Sequence, residues 1–247
     1  MIDLVNITYR YPQGAAYVIR DFNASFTRGE ITAVSGKNGC GKTTLSKLIV
    51  GILRPSSGNV MIDGENIGKM DLFEIGRRVG YVFQNPGRQL FCDTVYNEIA
   101  FGLRNMKAET TALERKATFT PANSKKAATE TEHKVALKPR TMQKETTEIG
   151  QKVDYYLELF DLARYRATYP GKLSIGEKQR LALAAVLALG TSFLVLDEPT
   201  TGLDARQQLE LGGVLTMLRQ EHNCGVVLFS HDDNFIARYS DRILVMP

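Results

Sequence analysis

The clearest rhythm of apolar and polar positions lies in the last third of the chain. Apolar residues recur at helical spacing over 176–189, and the continuous run FLVL follows within 193–197. The spacing then predicts a helix over 205–221, a strand over 225–230, a helix over 232–239 and a strand over 242–246. Runs such as FLVL and GVVLF suit strands covered on both faces. Strand and helix in turn predict a mostly parallel sheet with helices packed on it, an α/β fold. Earlier elements are shorter. IDLVNIT (2–8) is mixed in near alternation, as in an edge or half-buried strand, and ITAVSG (31–36) is a short strand ending in glycine. GKTTLSKLIVGIL (41–53) predicts a helix with Leu45, Leu48, Ile49 and Ile52 on one face. RPSSGNVMIDG reads as turns around another short strand. RRVGYVFQ (77–84) reads as a strand and DTVYNEIAFGL (93–103) as a short helix, and Val153, Tyr156, Leu157 and Phe160 again stand at helical spacing.

One stretch breaks the rhythm. Residues 106–150 hold nine Thr, seven Lys, seven Ala and six Glu, with Phe119 as the lone aromatic. Such a segment buries too little apolar surface to offset its ordering entropy, so a solvated, flexible insertion is expected there. The rest is of ordinary globular composition, 43% hydrophobic and 23% charged over the whole chain. A net charge of +4 admits an anionic ligand without arguing for nucleic acid, and no nucleic-acid partner is expected. Cys40, Cys92 and Cys224 are far apart and outside metal-ligand spacing, which predicts reduced thiols. MIDLVNITYRYP shows no basic segment leading into an apolar one, so no secretory signal is expected. The most apolar stretch, 181–196, is shorter than the roughly 20 residues of a membrane span and runs into Asp197 and Glu198. Any link to a membrane is therefore expected through a partner.

Three stretches carry chemistry. GKNGCGKT comprises Gly36, Lys37, Asn38, Gly39, Cys40, Gly41, Lys42 and Thr43, after a strand and opening a helix. It fits G-x-x-x-x-G-K-[ST], the loop whose amides converge on phosphate oxygens at a helix N-terminus. Lys42 would reach the β- and γ-phosphates, Thr43 would ligate Mg²⁺, and Thr44 would help with the α-phosphate. Cys40 lies among the converging dipoles, so its alkylation is expected to block nucleotide binding and ATP to protect it. FLVLDEPTTGLD (193–204) ends an apolar strand in two adjacent carboxylates, where α/β sheets place ligands. Asp197 can hold Mg²⁺, and Glu198 can accept a proton from the attacking water or orient it. His231 ends another apolar strand and could sense the γ-phosphate, and Gln84 could ligate Mg²⁺ or the water. The third stretch, LSIGEKQR (173–180), puts a small hydroxyl, Ser174, and a bare backbone, Gly176, at a helix start.

Taken in order, these residues resemble the ATP-binding-cassette family of transport ATPases, over all of the chain but about 106–150. The resemblance implies a P-loop NTPase fold. A RecA-like core with an N-terminal antiparallel β portion would take 1–84 and 176–247, and an inserted helical subdomain 85–175. It implies ATP and Mg²⁺ as ligands, Tyr11 stacked on adenine, and a second cassette, identical or paralogous, packed head to tail. Ser174 and Gly176 would then face the partner's γ-phosphate, with Asp204 near the seam. Two residues depart from the family's Leu-Ser-Gly-Gly-Gln. Ile175 stands for a glycine and Glu177 for the glutamine, which predicts a weakened site for the partner's ATP unless Glu177 points away as a first-turn acid.

QNPGRQLFCDTVYNEIAFGLRN (84–105) resembles more narrowly the energy-coupling-factor and cobalt-importer branch. That branch implies ATP-driven uptake of a vitamin or a transition-metal ion, an integral membrane coupling protein, and a substrate-binding membrane component. The cassette would sit on the cytoplasmic face of the membrane as a peripheral subunit. Branch members usually continue past the position of Pro247 and lack so long an insertion. Two rival readings share the motifs: a soluble cassette ATPase acting on DNA or ribosomes, and a regulator that hydrolyses ATP weakly.

Overall fold

The computed structural model describes residues 1–14, 16–117 and 139–246; of 107–117 and 139–146 only the backbone is described. Among the described residues the strands form two sheets. Strands β1 (Ile2–Tyr9), β2 (Ile19–Phe26), β4 (Ser57–Ile62) and β5 (Glu65–Asn66) form an antiparallel sheet in the order β2-β1-β4-β5. Strands β3 (Ile31–Ser35), β6 (Val79–Val82), β7 (Phe193–Asp197), β8 (Gly225–Phe229) and β9 (Arg242–Val245) form a parallel sheet in the order β6-β7-β8-β3-β9.

The helices are α1 (Lys42–Ile49), α2 (Leu72–Arg78), α3 (Val95–Ala117), α4 (Pro139–Leu159), α5 (Ile175–Leu187), α6 (Ala205–His222) and α7 (Asp233–Tyr239). Between β6 and α5 every described regular element is helical. Helices α3 and α4 run 12 residues into the polar segment from each side, as 106–117 and 139–150. The flexible insertion expected for 106–150 is thus helical at both flanks, where Ala, Glu and Lys are good helix formers. Its middle, 118–138, lies outside the described residues.

Burial explains why the central strands are apolar throughout. In β7, Leu194 and Leu196 join a cluster with α5 and α6 residues, whereas Phe193 and Val195 join a second cluster with α1. In β8, Val226 and Leu228 face the first cluster and Val227 and Phe229 the second. Alternation thus feeds two cores, and neither face can be polar. Each such side chain contributes about 1.5–3 kcal/mol on burial. The first cluster continues into Val95, Ile99, Val153, Leu157 and Phe160, so α3 and α4 pack on the same core as the parallel sheet. The second is shared with Ile2, Leu4, Ile7 and Ile62 of the antiparallel sheet. These two cores fix the carboxyl ends of β3, β7 and β8 relative to one another, and the candidate chemistry sits there.

Candidate functional site

Strand β3 delivers the chain into the glycine loop, and α1 begins at Lys42. The turn into the helix requires Gly41, whose φ of 103° lies in the region that L side chains avoid. Lys42 is buried and folds back into the loop: its Nζ donates to the Gly36 carbonyl at 2.8 Å and the Lys37 carbonyl at 3.3 Å. The same ammonium stands 3.8 Å from Glu198 Oε1. A cleft of about 620 Å³ opens here. Asn38, Gly39, Gly41 and Lys42 to Thr44 line one side; Gln84, Glu198 and His231 line another, with Tyr11 and Val18 beside them. Cys40 lies differently. A Cβ at Gly36 would stand 2.7 Å from the Cys40 Sγ, so the half-buried thiol packs beneath the loop and not into the cleft. What Cys40 offers a phosphate is its backbone amide, which here bonds the Lys37 carbonyl at 3.2 Å.

At the end of β7, Asp197 is 2% exposed and accepts from the Thr43 hydroxyl at 3.2 Å and the Tyr81 hydroxyl at 3.2 Å. Burial raises its carboxyl above the ordinary value, against the two hydroxyls, and burial likewise pushes the Tyr81 phenol up. No ion pair neutralises Asp197 among the described residues. A buried carboxylate in that position needs a cation or a proton. With Thr43 it offers two hard oxygens side by side, the donor set that Mg²⁺ takes when phosphates supply the remainder. The residues therefore fit the metal the loop implies.

Glu198 turns away from Asp197 because its φ is 49°, a left-handed conformation uncommon for a residue with a side chain. Its amide donates to the Phe229 carbonyl at 2.8 Å, which holds the turn. Its Oε2 lies 2.7 Å from His231 Nδ1 and accepts from the His231 amide at 3.3 Å. Glu198 is 7% exposed, and His231 together with Lys42 bounds it inside the cleft. A base held between an imidazole and an ammonium, with its carboxylate edge in a cleft, is placed to act on a water.

The segment after β6 brings Gln84 to the cleft, exposed and unburdened by packing. Gln89 fixes this segment: its Nε2 donates to the Tyr81 carbonyl at 3.0 Å and its Oε1 accepts from the Phe83 amide at 3.3 Å. Tyr11 keeps an exposed ring at the cleft mouth, edge-on to Tyr9, with its hydroxyl 3.1 Å from Thr44 Oγ1. Thr44 is therefore engaged with Tyr11 in this structure. Sequence reasoning missed Gln89, Tyr81 and Ser46. The hydroxyl of Tyr81 inside an otherwise apolar strand was the available signal.

Ser174 and Gly176 do not join this cleft. Ser174 caps α5, and its side chain accepts from the Glu177 amide at 3.3 Å while Glu177 Oε2 accepts from the Ser174 amide at 2.8 Å. The Tyr165 hydroxyl also donates to Glu177, which holds that carboxyl below its ordinary value, and Arg164 stands 3.9 Å away. The acid is folded back onto its own helix start, the first-turn alternative that the sequence left open. Gly176 is buried against α6: a Cβ there would lie 2.5 Å from Gln207 Nε2. Ile175 is 54% exposed beside Gly202. Ser174 shares an open groove with Asp204, the cap of α6.

A glycine loop between a parallel strand and a helix, with a carboxylate pair at the end of a nearby strand, defines a P-loop nucleoside-triphosphate hydrolase. The chain belongs to the ABC transporter family, whose sequence model matches residues 19–201, and it is an ATP-hydrolysing cassette of that family. It is 34% identical over 246 residues to a putative ABC transporter ATP-binding protein of Pyrococcus horikoshii, covering all of this chain and 80% of that one. It is 36% identical over 248 residues to the energy-coupling factor transporter ATP-binding protein EcfA of Methanothermobacter thermautotrophicus, covering 68% of that protein. Among solved structures, CbiO1 of Clostridium perfringens, described as part of the ABC transporter complex CbiONQ, superposes with a TM-score of 0.75 at 28% identity. That match covers 99% of this chain and 84% of the other. A dimeric bacterial ABC transporter cassette matches with a TM-score of 0.75 at 25% identity, over all of this chain and 94% of that one.

Proposed function

We propose that this cassette is the ATP-binding and ATP-hydrolysing subunit of an importer of the energy-coupling-factor type, driving uptake of a vitamin or a transition-metal ion. The observation that carries the ATPase half is the cleft that brings Lys42, Thr43, Glu198 and His231 together from distant parts of the sequence, with Asp197 bonded to Thr43. Support for the importer type comes from likeness to EcfA along the whole chain and to CbiO1.

The residues imply a division of labour. The loop amides of Gly39 to Thr43 and the start of α1 attract the phosphates. Lys42 exchanges its two carbonyl partners for phosphate oxygens, and Tyr11 offers its ring to the base. Thr43 and Asp197, with the phosphates, would hold Mg²⁺, which would supply neutralisation of the phosphoryl charge. Glu198 takes a proton from water or orients it, and His231 keeps that carboxylate aimed. Ser174 and Gly176, on a separate face, serve the ATP of a second cassette. Phe91 and Phe101, exposed and stacked edge-on at 4.9 Å, lie in the segment following Gln84 and offer an apolar seat to a membrane coupling protein. Among the described residues no helix is long and apolar enough to cross a membrane. The cassette would then act as a peripheral subunit on the cytoplasmic face, beside a substrate-binding membrane component.

The test is purification of the tagged chain from detergent-solubilised membranes of its own organism. Co-purifying integral proteins that raise ATP turnover support the importer reading. Recovery with ribosomes or DNA would overturn it.

A further inference from the structure

We propose that the Tyr81 hydroxyl, supported by Ser46, is a positioning group that fixes the orientation of the Asp197 carboxylate and so sets the affinity of the site for Mg²⁺. This rests on the reading of the cleft as an ATP site. The geometry is the starting point. Asp197 has one oxygen on each side. Oδ1 accepts from Thr43, at the first turn of α1, and Oδ2 accepts from Tyr81, on β6. Tyr81 pairs in register with Val195, two residues before Asp197, so adjacent strands of one sheet place donor and acceptor. A carboxylate held from one side only is free to rotate about its terminal torsion, which is broad. Held from both sides, it keeps Oδ1 turned toward Thr43, where the metal would be shared.

The protons can be counted. An ionised carboxylate only accepts, and Tyr81 has one proton. If Tyr81 gives that proton to Asp197, the contact at 3.0 Å between Ser46 Oγ and the Tyr81 oxygen requires Ser46 to donate. Ser46 is fully buried and its single proton is shared between Tyr81 and the Thr43 carbonyl, to which it donates at 2.9 Å, so its support of the phenol is partial. Donating to Tyr81 orients the phenol so that its own proton points at Oδ2. Thr43, Ser46, Tyr81 and Asp197 thus form one connected set between α1, β6 and β7. Groups that orient a metal ligand without touching the metal commonly change its affinity by about 10–100-fold.

Tyr81→Phe keeps the ring and deletes the hydroxyl. In the full chain with ADP, the affinity for Mn²⁺, read by electron paramagnetic resonance of the free ion, should fall about tenfold. Binding of a fluorescent ATP analogue in EDTA should stay within twofold. Ser46→Ala should weaken Mn²⁺ in the same direction, by about threefold, because the phenol then loses its own support. The proposal is overturned if Tyr81→Phe binds Mn²⁺ as the parent does, or if binding in EDTA falls as much as binding with metal, which would mark a packing role. Should Tyr81→Phe not fold, unchanged Mn²⁺ affinity in Ser46→Ala overturns it alone. Failure of the parent chain to bind the analogue at all would strike the ATP reading instead.

Discussion

The phosphate cleft and the start of α5 handle polar groups in opposite ways. In the cleft, charged side chains from distant parts of the sequence meet one another: Lys42 meets Glu198, Glu198 meets His231, and Asp197 meets Thr43 and Tyr81. At α5 the partners are close in sequence: Ser174 and Glu177 satisfy each other across three residues, and Tyr165 lies 12 residues away. The cleft is built by tertiary structure from distant segments of one chain. The α5 start is built locally, remains on its own face, and has no phosphate loop of its own to serve. One chain therefore carries a cleft assembled from distant segments and, on a separate face, a locally capped helix start, which under the proposed function would serve a neighbour's phosphate.

The hardest blow to that contrast falls on Glu198. Glu198→Gln keeps the shape, removes the base, and should cut ATP turnover by about 10²–10⁴-fold. ATP binding should persist and dimers should accumulate. Phosphate release and sedimentation with ATP measure both, and full turnover in the variant would show that the cleft is not the hydrolytic centre. Lys42→Ala should weaken ATP binding by about 10–100-fold, since charge-assisted bonds are worth about 1.5–3 kcal/mol. It also strips Glu198 of a neighbouring cation, so the loss should exceed that of a surface lysine. A titration with a fluorescent nucleotide reads it.

Ser174→Ala sharpens the comparison, because its effect should depend on which chain carries it. In a mixed dimer one protomer carries Lys42→Ala, leaving one working loop. Placing Ser174→Ala on the Lys42→Ala protomer puts the lost cap opposite the working loop, and turnover should fall about fivefold, as for loss of an N-cap worth about 1 kcal/mol. Placing it on the other protomer should leave turnover unchanged. A loss confined to the other arrangement would mean that Ser174 acts on its own chain, and equal losses would mean that it acts only as the cap of α5.

Legibility in the sequence follows the same divide. The strands β7 and β8 announced themselves because burial on both faces leaves no polar position, and their ends carried Asp197, Glu198 and His231 with them. The loop was legible because glycine is needed where φ is positive, as at Gly41. Strand β2 was not legible: in IRDFNASF only Ile19 and Phe26 are buried, so no alternation shows. Helix α2 is short and is defined by its Asp71–Glu74 capping box more than by an apolar face. The flanks of 106–150 looked like loop because their composition lacks apolar residues, yet helix formation there follows from propensity and continuation of α3 and α4. Tyr81, Ser46 and Gln89 act through partners 3 to 116 residues away, which no spacing rule reports. Glu177 was read as a departure and not as a cap, although Ser174-x-x-Glu177 has the spacing of a capping box.

The smallest expected effect tests that cap. Because the Tyr165 hydroxyl, the Ser174 amide and the Arg180 charge favour the ionised form, the Glu177 carboxyl titrates below its ordinary 4.5 in the folded chain. A depressed carboxyl contributes stability that is complete above the unfolded value and fades as pH falls through the folded one. Glu177→Gln keeps a side chain able to cap but carries no charge, so it isolates the ionised share. The thermal midpoints of the parent and Glu177→Gln should differ by a constant amount above about pH 4.5, with the parent higher, and converge as pH drops below it. Tyr165→Phe should move the point of convergence toward higher pH, because the donor that depresses the carboxyl is gone. A gap that widens on acidification, or that ignores Tyr165, would mean the carboxylate is not held by its helix start and is free to meet a neighbour's phosphate after all.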